Sequence, residues 1–212
     1  MTRPADDTRA RILKAAVPLF ARHGYAGASV RAIVARARVN QAAINYHFDG
    51  KEGLYHAVLV LAFAALTRDV DLDPAMLADL PREAALRRFV RAQLRPLAER
   101  DDVANYLQIF NWETVHPTPV FKTFLSREAA PFLSLATDLI RRFLPPQASG
   151  KTALIGAIWL LGQCSVFVRN REQFAIAGSP LRIAVDERLV DELAELISGW
   201  AIGGLARCAE GV

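Results

Sequence analysis

Apolar positions recur at helical spacing along most of the chain, and no stretch alternates with period two. From Thr8 onward Ile12, Ala16, Leu19 and Phe20 form a one-sided stripe, with His23 on the same face. Thr8 or Asp7 is placed to cap this helix, and Gly24 to end it. Pro18 lies inside, where it removes a backbone hydrogen bond; a kink is expected, at a cost of about 3 kcal/mol if nothing compensates.

Two short helices follow. Ser29 caps one that reaches Arg36, with Val30, Ile33 and Val34 turned inward, and Asn40 caps another that reaches Tyr46 or His47. A longer apolar helix starts near Lys51, runs through Leu54, Val58, Leu61 and Leu66, and is broken by Asp71-Leu72-Asp73-Pro74. Beyond the break the pattern predicts helices near 82–100, 102–114, 120–144, 150–171 and 186–207. His116-Pro117-Thr118-Pro119, Pro145-Pro146 and Gly178-Ser179-Pro180 punctuate them. The fold class is therefore all-α: a small three-helix head over residues 1–54 and a larger helical body over residues 55–212.

Two short helices joined by a turn of three or four residues make a helix-turn-helix layout. The first braces the second, which then offers a polar face to the major groove. In Asn40-Gln41-Ala42-Ala43-Ile44-Asn45-Tyr46-His47-Phe48, Ile44 and Phe48 are the anchors, four residues apart. Gln41, Ala42, Asn45 and Tyr46 then face outward. Asn and Gln bond adenine bidentately, and a small apolar group contacts a thymine methyl. This face holds amides and no acid, unlike the mixed charges of an ordinary solvated helix.

The charge distribution agrees. Of 212 residues, the first 60 hold nine Lys/Arg and four Asp/Glu, while the rest hold 17 and 18, so the whole positive excess sits at one end. That asymmetry suits contact with a polyanion.

Ala21-Arg22-His23-Gly24-Tyr25, Ser29-Val30-Arg31-Ala32-Ile33 and Tyr46-His47-Phe48-Asp49-Gly50-Lys51-Glu52-Gly53-Leu54, in this order and spacing, resemble the TetR family of one-component regulators over roughly residues 8–60. The resemblance implies a repressor that binds a palindromic double-stranded operator as a homodimer and is released by a small, largely apolar effector. It implies that Ser29 binds phosphate, that Arg31 reaches the backbone or a base edge, and that Gln41, Ala42 and Asn45 read bases. Tyr46, His47 and Lys51 would hold phosphates, with Asn40 and Arg38 completing the contact set. Arg38 stands in the turn where the family often has glycine; a positive φ there costs Arg roughly 1 kcal/mol, which a phosphate contact would offset.

The resemblance also implies pairing through the last two long helices, with Gly156, Leu160, Leu189, Leu193, Leu196 and Trp200 at the interface. A two-fold dimer doubles the contacts across half-sites about 34 Å apart. Tyr106, Phe110, Asn111, Glu113, His116 and Phe124 combine aromatic surface with polar groups, as a small-molecule pocket requires, and Trp159, Gln163 and Phe167 join them as effector candidates. The His116–Pro119 segment ahead of Phe121 resembles the C-terminal domain of the CecR subgroup.

No metal-ligand spacing is present, no cofactor is expected, and no catalytic motif links Glu113, His116 and Cys164. Ser149-Gly150-Lys151-Thr152 has the ending of a phosphate-binding loop, but Pro145 occupies the position of its earlier glycine and no strand precedes it; a helix cap is the expected role. Cys164 and Cys208 show no disulfide framework, and the N-terminus has no apolar leader. The longest apolar run, Ala153 to Val168, has 16 residues against the roughly 20 that span a bilayer. These points predict a cytoplasmic protein with no membrane partner and no enzymatic activity. Two alternatives stand beside the ligand-released repressor: a DNA-binding protein without an effector, controlled by a protein partner, and an all-α enzyme.

Overall fold

The computed structural model describes residues 4–67, 72–98, 103–174 and 183–210, and every regular element among them is helical. The chain forms two compact units that do not follow chain order: residues 1–66 with 100–128, and residues 67–99 with 129–212.

The first unit begins with α1 (Pro4–Gly27), whose Ile12, Ala16 and Phe20 are fully buried. Its backbone stays helical through Pro18, and the break comes instead at Gly24, where φ is 64° and ψ is −178°. A Cβ there would stand 3.1 Å from the Trp112 ring, so backbone and packing both require glycine. α2 (Val30–Ala37) is capped by Ser29, whose Oγ accepts from the Ala32 N–H at 3.4 Å, and α3 (Gln41–Phe48) by Asn40, whose Oδ1 accepts from the Ala43 N–H at 3.0 Å. Arg38 and Asp49 end these helices in left-handed backbone, with φ of 54° and 57°. α4 (Lys51–Leu66) buries Leu54, Tyr55, Val58, Leu59 and Ala62. α7 (Val103–Val115), packed on α1 and α4, and α8 (Pro119–Phe124), packed on α4, complete the unit.

The second unit holds α5 (Pro74–Asp79), α6 (Arg82–Leu94), α9 (Ala130–Arg141), α10 (Gly150–Arg169), α11 (Arg171–Phe174) and α12 (Glu187–Glu210). α6 packs on α9, α10 and α12, and Leu86, Phe89, Leu160 and Val190 are fully buried. Arg142 donates to the Leu77 and Leu80 carbonyls at 2.8 and 2.5 Å, satisfying the end of α5. Ser149 caps α10, its Oγ accepting from the Thr152 N–H at 3.1 Å, so the Ser149–Thr152 segment acts as a helix start.

Two boundaries differ from the sequence expectation. The helix expected near 120–144 divides into α8, a π-helical turn at Leu125–Ala129 and α9, because Pro131 in the first turn of α9 has no N–H to continue the ladder. Asp71–Pro74, read as a break, contains the start of α5: Asp73 accepts from the Ala75 N–H at 2.9 Å and Pro74 takes the first helical position. The apolar run of 16 residues lies within a 20-residue helix, α10, and by length and composition α10 is the one helix among the described residues that could cross a membrane.

Candidate nucleic-acid interface

Buried Ile44 and Phe48 seat α3, and the 3.6-residue period then turns Gln41, Ala42, Asn45 and Tyr46 outward. Tyr46 is 83% exposed. It meets the half-buried His47 edge to face at 4.9 Å. Ser29, Arg31 and Arg38 are exposed, while the Asn40 side chain is engaged in its own cap. The first turn of α3 carries no acid, so the helix N-terminus keeps its positive partial charge.

Lys51 is placed differently from a free phosphate ligand. Its Nζ donates to the Ala26 carbonyl at 3.3 Å and lies 4.8 Å from the centre of the Tyr25 ring. Burial lowers its pKa, and burial, followed by the charge of Glu52, raises that of Tyr25. Lys51 therefore ties the start of α4 to the C-terminal end of α1. Arg9, whose charge alone suggests a solvated surface residue, stacks its guanidinium over Phe48 at 5.1 Å. No local signal pairs residues so far apart in sequence.

A buried polar network braces this surface. Tyr55, fully buried, packs against Phe20 at 4.7 Å and Tyr25 at 5.0 Å, and its hydroxyl donates to Glu113 Oε1 at 2.6 Å. The Thr118 N–H donates to Glu113 Oε2 at 2.7 Å and the Thr118 hydroxyl to Oε1 at 3.0 Å. Thr118 Oγ1 in turn accepts from the Phe121 N–H at 3.1 Å, capping α8. Glu113 is 2% exposed, so its carboxylate relies on these donors. Burial, reinforced by the Glu113 hydrogen bond, pushes the Tyr55 phenol far above its ordinary range. Next to Glu113 on α7, the Trp112 indole N–H donates to the Ala21 carbonyl at 2.8 Å. Adjacent residues of α7 thus hold both α1 and α4.

The effector candidates divide. Phe110 and Phe124 stand 5.9 Å apart, and both meet Phe121, at 6.1 and 5.8 Å, so the aromatic residues pack against one another. Glu113 belongs to the buried network, Asn111 is half-buried, and His116 is exposed beside the Trp112 ring at 6.3 Å. Tyr106 lines a groove in the first unit. In the second unit Trp159 is exposed, Gln163 is half-buried, and Phe167 stacks on Phe174 at 6.1 Å.

The dimerisation candidates divide too. Leu160 and Leu193 are buried within the protomer, and a Cβ on Gly156 would fall 2.9 Å from Ile140 Cγ2. Leu189 is half-buried. Leu196 and Trp200 are exposed, Trp200 at 65%, and α10 exposes Ile155 at 57% and Ile158 at 55%.

Two family models match: bacterial regulatory proteins of the tetR family over residues 12–58, and the C-terminal domain of the HTH-type transcriptional dual regulator CecR over residues 82–205. The HTH-type transcriptional repressor SCO4008 of Streptomyces coelicolor is 42% identical over 72 residues, covering 34% of this chain and 38% of that protein. The HTH-type transcriptional repressor NicS of Pseudomonas putida is 32% identical over 124 residues, covering 58% of this chain and 49% of that protein. The matched segments thus span about half, or less, of these two relatives. The crystal structure of AibR in complex with isovaleryl coenzyme A and operator DNA shares the fold, with a TM-score of 0.60 at 16% identity over 89% of this chain and 97% of that one. With one model on the helix-turn-helix and the other on more than half of the chain, this protein belongs to the TetR family of bacterial transcriptional regulators, with a CecR-type C-terminal domain.

Proposed function

We propose that the protein is a one-component repressor that binds a palindromic operator as a homodimer and leaves it when a small, largely apolar effector is bound. One observation carries the DNA reading. α3 buries Ile44 and Phe48 and leaves Gln41, Ala42, Asn45 and Tyr46 exposed, beside Ser29 and Arg31 at the start of α2. Gln41, Ala42 and Asn45 are the base readers in this proposal; Ser29, Arg31, Tyr46 and His47 hold phosphates, and Lys51 joins them if it releases the Ala26 carbonyl. Residues 1–54 supply the operator surface, and the rest of the chain effector binding and pairing. The protein acts in the cytoplasm, where its operator lies.

The exposed apolar residues of α10 and α12 support pairing, since Ile155, Ile158, Leu196 and Trp200 form surface that a monomer rarely leaves uncovered. In this reading a second copy covers them, and they replace the buried Leu160 and Leu193 as the contact residues.

Fluorescence anisotropy on labelled DNA from upstream of the protein's own gene tests the operator reading. Log affinity should fall linearly with log salt, by about 0.9 for each phosphate neutralised. A flat salt response, or no binding, refutes it. Release is tested by adding lipophilic compounds to the operator complex; if compounds that bind the protein leave DNA affinity unchanged, induction is refuted. A second reading, regulation without an effector, is favoured by the close packing of Phe110, Phe121 and Phe124, which fills the space where the sequence suggested a pocket.

A further inference from the structure

Two residues that the local backbone disfavours line one groove. Pro18 sits in the middle of α1, so the Lys14 carbonyl receives no helical hydrogen bond from position 18. Arg38 ends α2 with φ of 54° and ψ of 49°, a conformation that costs a non-glycine residue about 1 kcal/mol. The groove has a volume of about 760 Å³ and is open to solvent along one side, and α1, α2, α4 and α7 of the first unit form it. No residue of α3 lines it, so it is separate from the base-reading face.

Its lining has two parts. Arg11, Lys14, Arg36 and Arg38 contribute four cationic groups, and no acidic residue lines the groove. Among the described residues only Arg11 of the four shares a carboxylate, with Asp7 at 3.9 Å. The helix dipole favours a cation at the end of α2 and so accounts for Arg36, while Arg38, like Asp49 after α3, closes its helix in left-handed backbone. The opposite character comes from Leu13, Val17, Pro18 and Leu61, with Asn105 and Tyr106 as polar groups between. A phosphate of the DNA backbone would use the cations but not the half-buried Pro18 and Leu61, which stand beside the buried Leu13 and Val17. A ligand with an acidic head and an apolar body satisfies both.

We propose that this groove binds an amphipathic organic anion, its acid group held by Lys14, Arg36 and Arg38 and its apolar body laid along Leu13, Val17, Pro18 and Leu61. The bound acid would lie at the end of α2, two residues before Asn40, which caps the base-reading helix. The site does not depend on the operator reading, and its test contains no DNA.

The probe is sodium decanoate, titrated into the full-length protein with ¹³C-labelled Ala, Leu and Val methyls. Decan-1-ol and decyltrimethylammonium serve as controls of the same chain length. Saturable shifts are expected at Ala10, Leu13, Val17 and Leu61, with about tenfold or weaker binding of the alcohol and none of the cation at these methyls. A K14Q/R36Q variant should lose about tenfold or more in decanoate affinity while its remaining methyl spectrum stays native-like. The proposal is overturned if these methyls do not shift, if the alcohol binds as tightly as the acid, or if the folded variant binds undiminished. Should the variant fail to fold, the acid, alcohol and cation series on the unaltered protein decides the matter. Shifts confined to the exposed α10 and α12 methyls show adsorption elsewhere and equally overturn it.

Discussion

Removing the Tyr55 hydroxyl tests whether α7 holds α4 through Glu113 as the geometry indicates. Tyr55→Phe keeps the ring contacts with Phe20 and Tyr25 and deletes one hydrogen bond, 2.6 Å long, to a buried carboxylate. A hydrogen bond to a charged group contributes about 1.5–3 kcal/mol, so a loss of that size is expected. Glu113→Gln should cost about 1–2 kcal/mol, because its amide oxygen can accept from the Thr118 N–H while the Tyr55 and Thr118 hydroxyls turn to accept from its NH₂, which replaces charge-assisted bonds by neutral ones. Because the two residues act on one bond, the double variant should lose less than the sum, by about 0.5–3 kcal/mol.

The assay is urea unfolding at fixed protomer concentration, since pairing would make stability depend on concentration. With 5-fluorotryptophan incorporated, the resonance of Trp112 follows the first unit, apart from Trp159 and Trp200 in the second. Additive losses within about 0.5 kcal/mol would falsify the coupling, as would a Tyr55→Phe variant as stable as the parent. The pH dependence has a definite sign. The folded phenol is raised above its ordinary value of 10, so the stability tied to it is complete below about pH 10. That stability is lost as pH rises toward the folded value. The parent should therefore lose stability above pH 10 more steeply than Tyr55→Phe does.

Gly53→Ala should lower stability by about 1–3 kcal/mol although alanine ordinarily favours a helix, because the added Cβ would fall 1.8 Å from the Phe48 carbonyl oxygen, and that atom is backbone; a raised melting temperature would refute this. Trp200→Asp should weaken self-association by about 10- to 100-fold in sedimentation velocity, and an unchanged dissociation constant would remove Trp200 from the interface. Burial pushes the Cys164 thiol up to about 12, so at pH 8 it stays protonated. In a Cys208→Ser background, alkylation should therefore be slow in the native protein and fast in urea.

What the sequence revealed was local, and what it concealed was pairing across distance. Ser29 and Asn40 could be recognised as caps because each bonds an N–H only three residues on, and Ile44 and Phe48 as anchors because one helical period relates them. The Tyr55–Glu113 bond joins residues 58 apart, and Trp112 reaches Ala21 across 91, so neither leaves a periodic trace. The same distance hid the contacts of Lys51: the Ala26 carbonyl and Tyr25 ring that it meets lie on the far side of the helix-turn-helix in sequence. Aromatic density around Tyr106–Phe124 was equally ambiguous, because rings spaced to line a pocket are also spaced to fill one. Burial of Phe124 against Phe63 at 5.5 Å fits the second.

Pro18 and Arg38 show why a residue at odds with its local backbone is informative. Each is unfavourable by a purely local rule, and nothing in the sequence relates them, because one lies in α1 and the other follows α2. The fold brings them to one groove, beside Lys14 and Arg36 and against Leu61 of α4. In this open groove a ligand with an acid group and an apolar body would use both the cations and the apolar residues beside them. Replacing Arg38 with glycine separates the terms. The backbone strain disappears, so stability should hold or rise by about 1 kcal/mol, while decanoate affinity falls. A variant that gained stability and kept full affinity would show that Arg38 has no part in the groove.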